Sequence, residues 1–328
     1  ITTASNASIT LGTTSNAFTG ALLITTNDND SGGTDGDVTI HGGTTALVLG
    51  ASTIDGDLTL TSAATGTAGM TDNGTLDIRG TTTISASGVD VTLNSAANNF
   101  QGAVAIDGVN VTVVDADNIM LAASTATGNY TLTAGGLVVD DNSGALAVTG
   151  TTTINAGGNV VLDIATNNFQ GAVAIDGVNV TVVNAGAIEL GTSTVTGTYA
   201  VTATAGGDIT DSGVLTITGT ATFTAANGQS IYLDSANTFS STVAFSSGGT
   251  LANVTISDSN DFDLAALTLS GNLIATSTGG SITGSGALAI TGVTTIDASS
   301  GNVTLNTTTN NFQSAVKIDG VNVTVVDA

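Results

Sequence analysis

The stretch "NNFQGAVAIDGVNVTVV" runs from Asn98 to Val114 and returns letter for letter from Asn167 to Val183. It comes back from Asn310 to Val326 with only Ser314 and Lys317 changed. Its phenylalanines, Phe100, Phe169 and Phe312, have weaker counterparts at Phe18 ("SNAFTGALLI") and Phe239 ("ANTFSSTVAF"). The successive intervals are 82, 69, 70 and 73 residues. A period near 70 is a long internal repeat. It divides the chain at about 18–99, 100–168, 169–238 and 239–311, with another copy starting at 312.

Each long repeat has an inner rhythm. Residues 109–128, 129–150 and 151–177 each read strand, short turn, strand, short turn, strand, glycine. A line of this kind cannot bury its own apolar face, but stacked on its neighbours it can. Val, Ile, Leu and Ala then point inward in columns, while Thr, Ser and Asn point outward. Gly and Asn take the bends, where φ may turn positive. The expected fold is all-β: a parallel β-solenoid with three strands per coil and three coils per long repeat. Residues 1–328 then form one continuous rod of about 14 coils, roughly 65–70 Å long at the inter-strand spacing. The phenylalanine segment reads as an insertion, a bulge whose ring plugs the core. A row of aromatics used for binding is the functional counterpart of that reading. An array of Greek-key sandwiches would suit the 70-residue period. The likeness of half-lines such as "TLTAGG" and "TTTINAGG" argues against it.

The composition points the same way. There is no Pro, which suits strands paired on both sides. There is no Cys, so neither disulfides nor thiolate metal sites can form. Glu189 is the one Glu, Arg79 and Lys317 are the basic residues, and the remaining acids are Asp, a turn former. The formal charge of −24 disfavours nucleic acid and anionic membranes as partners. No apolar run reaches the roughly 18 residues of a membrane helix, so membrane insertion is not expected.

The first interval exceeds the others, and the surplus falls in residues 26–37, "TNDNDSGGTDGD". Asp28, Asp30, Asp35 and Asp37 there could supply oxygen ligands to calcium, in a partial echo of the calcium-binding nonapeptide. The plain reading is a solvated acidic loop. A second acidic cluster holds Asp258, Asp261 and Asp263. The Asp-Gly pairs at Asp55, Asp107, Asp176 and Asp319 read as turns, with a carboxylate ladder as the alternative. His41 reads as an outward strand residue. With one His, no Cys and no clustered bases, no catalytic residues are assigned and no enzyme activity is expected. Threonine rows suggest an ice-binding face, which unequal coils would break. Asn-x-Thr triplets such as Asn110-Val111-Thr112 follow from strand alternation.

Units such as "LTLTSA", "YTLTAGG", "LTITGTATFTAANGQSIYL" and "GALAVTGTTTINAGGNVVL" resemble the repeats of filamentous-haemagglutinin-like adhesins. These are large secreted bacterial surface proteins of the two-partner secretion type. The resemblance covers nearly the whole chain. It implies a right-handed β-helix shaft, an extracellular or cell-surface location, and a role in adhesion, biofilm matrix or cell–cell contact. It implies no catalytic residues, and no cofactor is expected other than the calcium considered above. The partners would be other filaments, through self-association or bundling, and a host or neighbour-cell surface or glycan reached through another part of a longer parent protein. The alternatives are a calcium- or glycan-binding adhesin module and, further off, a β-helix polysaccharide-degrading enzyme.

Overall fold

The computed structural model describes residues 1–27, 36–66 and 69–328. Among them every regular element is a β-strand, most of them three to five residues long. The chain groups into two compact units, 1–171 and 172–328. Each is a parallel β-solenoid with three strands per coil, about 15 turns in the two together.

In the first unit three walls of strands are stacked coil on coil. One runs through Ser52–Ile54, Leu76–Ile78 and Asn99–Phe100. The second runs through Val38–His41, Leu58–Thr61, Thr82–Ser85 and Val104–Gly108. The third runs through Leu47–Leu49, Met70–Asp72, Val91–Leu93, Val111–Asp115, Tyr130–Ala134 and Thr152–Ala156. Alternating residues make each strand buried on one face and open on the other. Register then converts that alternation into inward columns such as Ile40–Leu60–Ile84–Ile106.

Three coils per long repeat is not what the chain does. From Val104 to Phe169 there are ten strands, and from Thr242 to Phe312 again ten. At three strands per coil this is three and a third turns. The turn count rises from the expected 14 because coils are short. Register partners one coil apart are separated by 24 residues at Leu58–Thr82, 19 at Val111–Tyr130 and 17 at Val104–Leu121. The extra third is made where one strand carries two above it. Val104–Gly108 pairs with both Ile119–Leu121 and Ser124–Ala126. In the second unit Val173–Asp176 pairs with Ile188–Leu190, and Gly177 bridges Val195 of the next strand.

The phenylalanine therefore changes walls from one repeat to the next. In the first unit, Phe100 lies in the strand directly after the third-wall strand Val91–Leu93. Phe169 lies one strand further on, after Thr152–Ala156 and then Val160–Leu162. The second unit repeats the step relative to the column Ile231–Val254–Leu273–Thr294. Phe239 ends the strand that Ile231 begins, whereas Val303–Leu305 intervenes between Thr294–Ala298 and Phe312.

Nor is the phenylalanine segment a bulge. Phe100, Phe169, Phe239 and Phe312 are buried rungs in register with Ile78, Val148, Ile217 and Ile290. Phe18 is half-buried and outside any strand. In the second unit Phe223 is the centre of an aromatic cluster. Its ring is edge-on to Tyr199 at 6.0 Å and to Phe239 at 6.1 Å, and stacked on Phe245 at 5.9 Å.

The glycines that end the lines 109–128 and 129–150 have a steric reason, not the positive φ expected from the sequence. A Cβ on Gly150 would lie 2.6 Å from the Gly128 carbonyl oxygen of the coil below, and one on Gly128 3.0 Å from that of Val109. Neither has a positive φ.

Candidate functional site

The repeated phrase gathers its polar chemistry at the phenylalanine. Two residues before it stands an asparagine, Asn98, Asn167, Asn237 or Asn310, and all four are buried. A carboxamide in an apolar interior must have its donors and acceptor met. The oxygen of Asn167 accepts the Leu146 N–H at 2.8 Å, and that of Asn310 accepts the Leu288 N–H at 2.9 Å. The Asn98 and Asn237 amides donate to Asp72 and Asp211, both at 2.7 Å.

In three of the four copies the far side of the phenylalanine strand is closed by an acid. Asp115 accepts the Phe100 N–H at 3.1 Å, Asp258 that of Phe239 at 3.2 Å, and Asp327 that of Phe312 at 2.9 Å. Asp115 and Asp258 are buried. Burial pushes the Asp115 carboxyl above the ordinary range and the Asp258 carboxyl to about 6. Burial raises Asp140 and Asp211 as well.

A second polar system runs along the outside. Asp90 accepts the Asn110 N–H at 3.0 Å, Asn110 that of Asn129 at 2.9 Å, and Asn129 that of Thr151 at 3.0 Å. In the second unit Asn253 accepts the Asn272 N–H at 2.9 Å and Asn272 that of Val293 at 2.8 Å. This spine gives the Asn-x-Thr triplets a physical cause. Asn holds the corner, the next residue points inward, and Thr points outward.

Of the calcium candidates, Asp28, Asp30 and Asp35 lie outside the described residues. Asp37 Oδ1 accepts the Asp57 N–H at 2.9 Å, the role Asp57 plays for Thr81 at 2.7 Å. Among the described residues no group of three or more acidic or histidine side chains is placed to hold a metal ion. The second acidic cluster splits. Asp258 turns inward, while Asp261 and Asp263 line a surface groove of about 310 Å³ with Ser240, Thr242, Ser281 and Thr283. Asp263 there already accepts from the Thr283 hydroxyl and the Ser285 N–H, each at 2.9 Å.

The Asp-Gly pairs do not form a carboxylate ladder. Asp55 is bonded to the Arg79 guanidinium, Asp176 accepts the Thr194 N–H at 2.7 Å, and Asp107 has Ser85 and Thr125 as register partners. Only Asp319 is stacked on another acid, Asp297. His41 closes its strand half-buried, its Nδ1 accepting the Gly43 N–H at 3.0 Å.

Neither the curated proteins nor the solved structures contain a significant match to this chain. A family model described as repeats of unknown function matches four times in succession, at residues 35–107, 108–176, 177–246 and 251–319. Those four matches cover most of the sequence, and the chain accordingly belongs to the family of repeats of unknown function (DUF5649).

Proposed function

We propose that this chain is a shaft segment of a large secreted bacterial fibre, at the cell surface or in the extracellular matrix, with no catalytic role of its own. The filamentous-haemagglutinin-like resemblance of its repeats leads to the same class. The support is one relationship: three of the four phenylalanine strands end their column under an Asp supplied by the following coil, Phe100 under Asp115, Phe239 under Asp258 and Phe312 under Asp327. Each of these repeats is thus finished by the next, which suits a chain of many repeats. The acidic exterior keeps neighbouring shafts apart until a specific contact brings them together. The binding tip that such a shaft would hold away from the cell lies in another part of the parent protein.

Chains of two, three and four repeats, imaged by electron microscopy, test the reading. Each added repeat should lengthen the particle by about 16 Å, three and a third turns at the inter-strand spacing. Immunogold labelling of intact source cells should place the antigen outside. Particles that do not lengthen with repeat number, or label confined to the cytoplasm, would overturn it. The groove beside Asp261 and Asp263 favours a second reading, a glycan-binding module. Binding of neutral oligosaccharides that is lost in Asp263→Asn would establish it.

A further inference from the structure

The acids that close the phenylalanine columns sit where a charge has no counterion. Asp115 Oδ2 accepts the Phe100 N–H at 3.1 Å and Oδ1 the Asp117 N–H at 2.9 Å. Asp258 accepts the Phe239 N–H on both oxygens, at 3.2 and 3.3 Å, and the Ser259 N–H at 2.7 Å. The charged groups facing them are themselves acids, Asp117 beside Asp115 and Asp261 beside Asp258. The packed strands contribute neutral groups: Ala134 stacked on Asp115, and Asn237 and Ser277 stacked below and above Asp258. Asn260, with its amide nitrogen turned toward Asp258, donates to both oxygens at 2.9 and 3.1 Å. The two basic side chains are engaged elsewhere in register, Arg79 on Asp55 and Lys317 beside Thr295.

The sequence carries its own neutral control. Asn184 stands 69 residues after Asp115, at the same place in the phrase. It is equally buried, and its amide donates to the Ala187 carbonyl at 2.6 Å. An uncharged group therefore fits this position of the repeat.

We propose that Asp115 and Asp258 are proton-operated latches, which mild acidification neutralises in place so that the solenoid tightens. The sign follows from linkage. Both carboxyls are held above their ordinary value of 3.8, chiefly by burial, and Asp258 reaches about 6. The folded chain therefore keeps a proton that the unfolded chain releases. The stabilisation is fully present below the unfolded value and is lost as pH rises through the folded value, about 6 for Asp258. The proposal holds whether or not the chain is a fibre shaft, because its readout is stability alone.

Urea unfolding of the full 328-residue chain at pH 7.5 and pH 5.0 tests it. The wild type should unfold at higher urea at pH 5.0. Relief of general acid–acid repulsion also contributes to that rise, so comparison with the variants decides. Asp258→Asn and Asp115→Asn should each shrink the acid-induced rise. Asn184→Asp should enlarge it, by lowering the midpoint more at pH 7.5 than at pH 5.0. Carbon-13 NMR of labelled aspartate should show a carboxyl titrating near pH 6 that disappears in Asp258→Asn. A rise of wild-type size in all three variants, or no carboxyl titrating above pH 5, would overturn the proposal. Should Asp258→Asn fail to fold, Asn184→Asp and the titration decide it.

Discussion

Asn98 and Leu76 are joined across one coil: the Asn98 side-chain oxygen accepts the Leu76 N–H at 2.9 Å, with both residues buried. The same clamp links Asn237 to Leu215 at 2.8 Å. It fixes the corner at which the chain enters the phenylalanine strand.

Replacing Asn98 with Ala should therefore cost about 1–3 kcal/mol, the penalty of leaving a buried donor without a partner. The Asp72 carboxylate would also lose its amide donor. Equilibrium urea unfolding measures the loss, and a midpoint equal to wild type would deny the clamp its structural role.

Two glycines should respond in opposite directions to alanine. At Gly102 the new Cβ meets the Gly80 backbone, so Gly102→Ala should destabilise by about 1–3 kcal/mol or more. At Gly186 nothing lies within 4 Å and φ is not positive, so alanine there restricts only the unfolded chain. Gly186→Ala should stabilise by about 0.4–1 kcal/mol. Melting temperatures of the pair separate steric need from mere turn preference.

Phe223 touches three other aromatic rings in the second unit. Truncation to Ala should cost about 3–5 kcal/mol, with Phe223→Leu well below that. A double-mutant cycle with Phe245 should return a coupling of about 0.5–1.5 kcal/mol for the stacked pair. Additive effects would mean that the rings merely share the core.

Tyr130 buries a hydroxyl for which no hydrogen-bond partner exists among the described residues. Tyr130→Phe should thus raise stability at neutral pH. Burial also holds the phenol above its ordinary value of 10, so the wild type keeps a proton that the unfolded chain loses. That contribution is complete below pH 10 and disappears as pH climbs beyond it. Alkaline unfolding should begin at higher pH in the phenylalanine variant, as followed by circular dichroism.

The strands and their stacking were legible because alternation and register carry the same message. Val111, Val113 and Leu132 look inward in the sequence and lie inward in the fold. The burial of Phe100 was legible too, but not its place as an ordinary rung. Nothing in "NNF" distinguishes a strand residue from an inserted plug. The change of wall was hidden with it. Residues 151–177 read as three strands and an insertion, whereas the chain places four strands there, Thr152–Ala156, Val160–Leu162, Asn168–Phe169 and Val173–Asp176. The latch acids were hidden because Asp115 reads as an ordinary turn former and Asp258 as one member of the acidic cluster Asp258, Asp261 and Asp263. Only their burial against Phe100 and Phe239 distinguishes them from the surface acids nearby. The acidic stretch 26–37 was singled out by its surplus length and its run of Asp and Asn, and of its four Asp only Asp37 lies among the described residues, accepting the Asp57 N–H.

The displaced phenylalanine has an architectural consequence. Within each unit, a residue written once per repeat climbs as if on a spiral staircase, the later copy arriving one wall of the three away from the earlier. The two copies therefore face different directions. A tag, cysteine or charge engineered into both would be dealt to different walls instead of drawn along one side. To paint a single stripe on a unit, a designer must choose a different position in each copy.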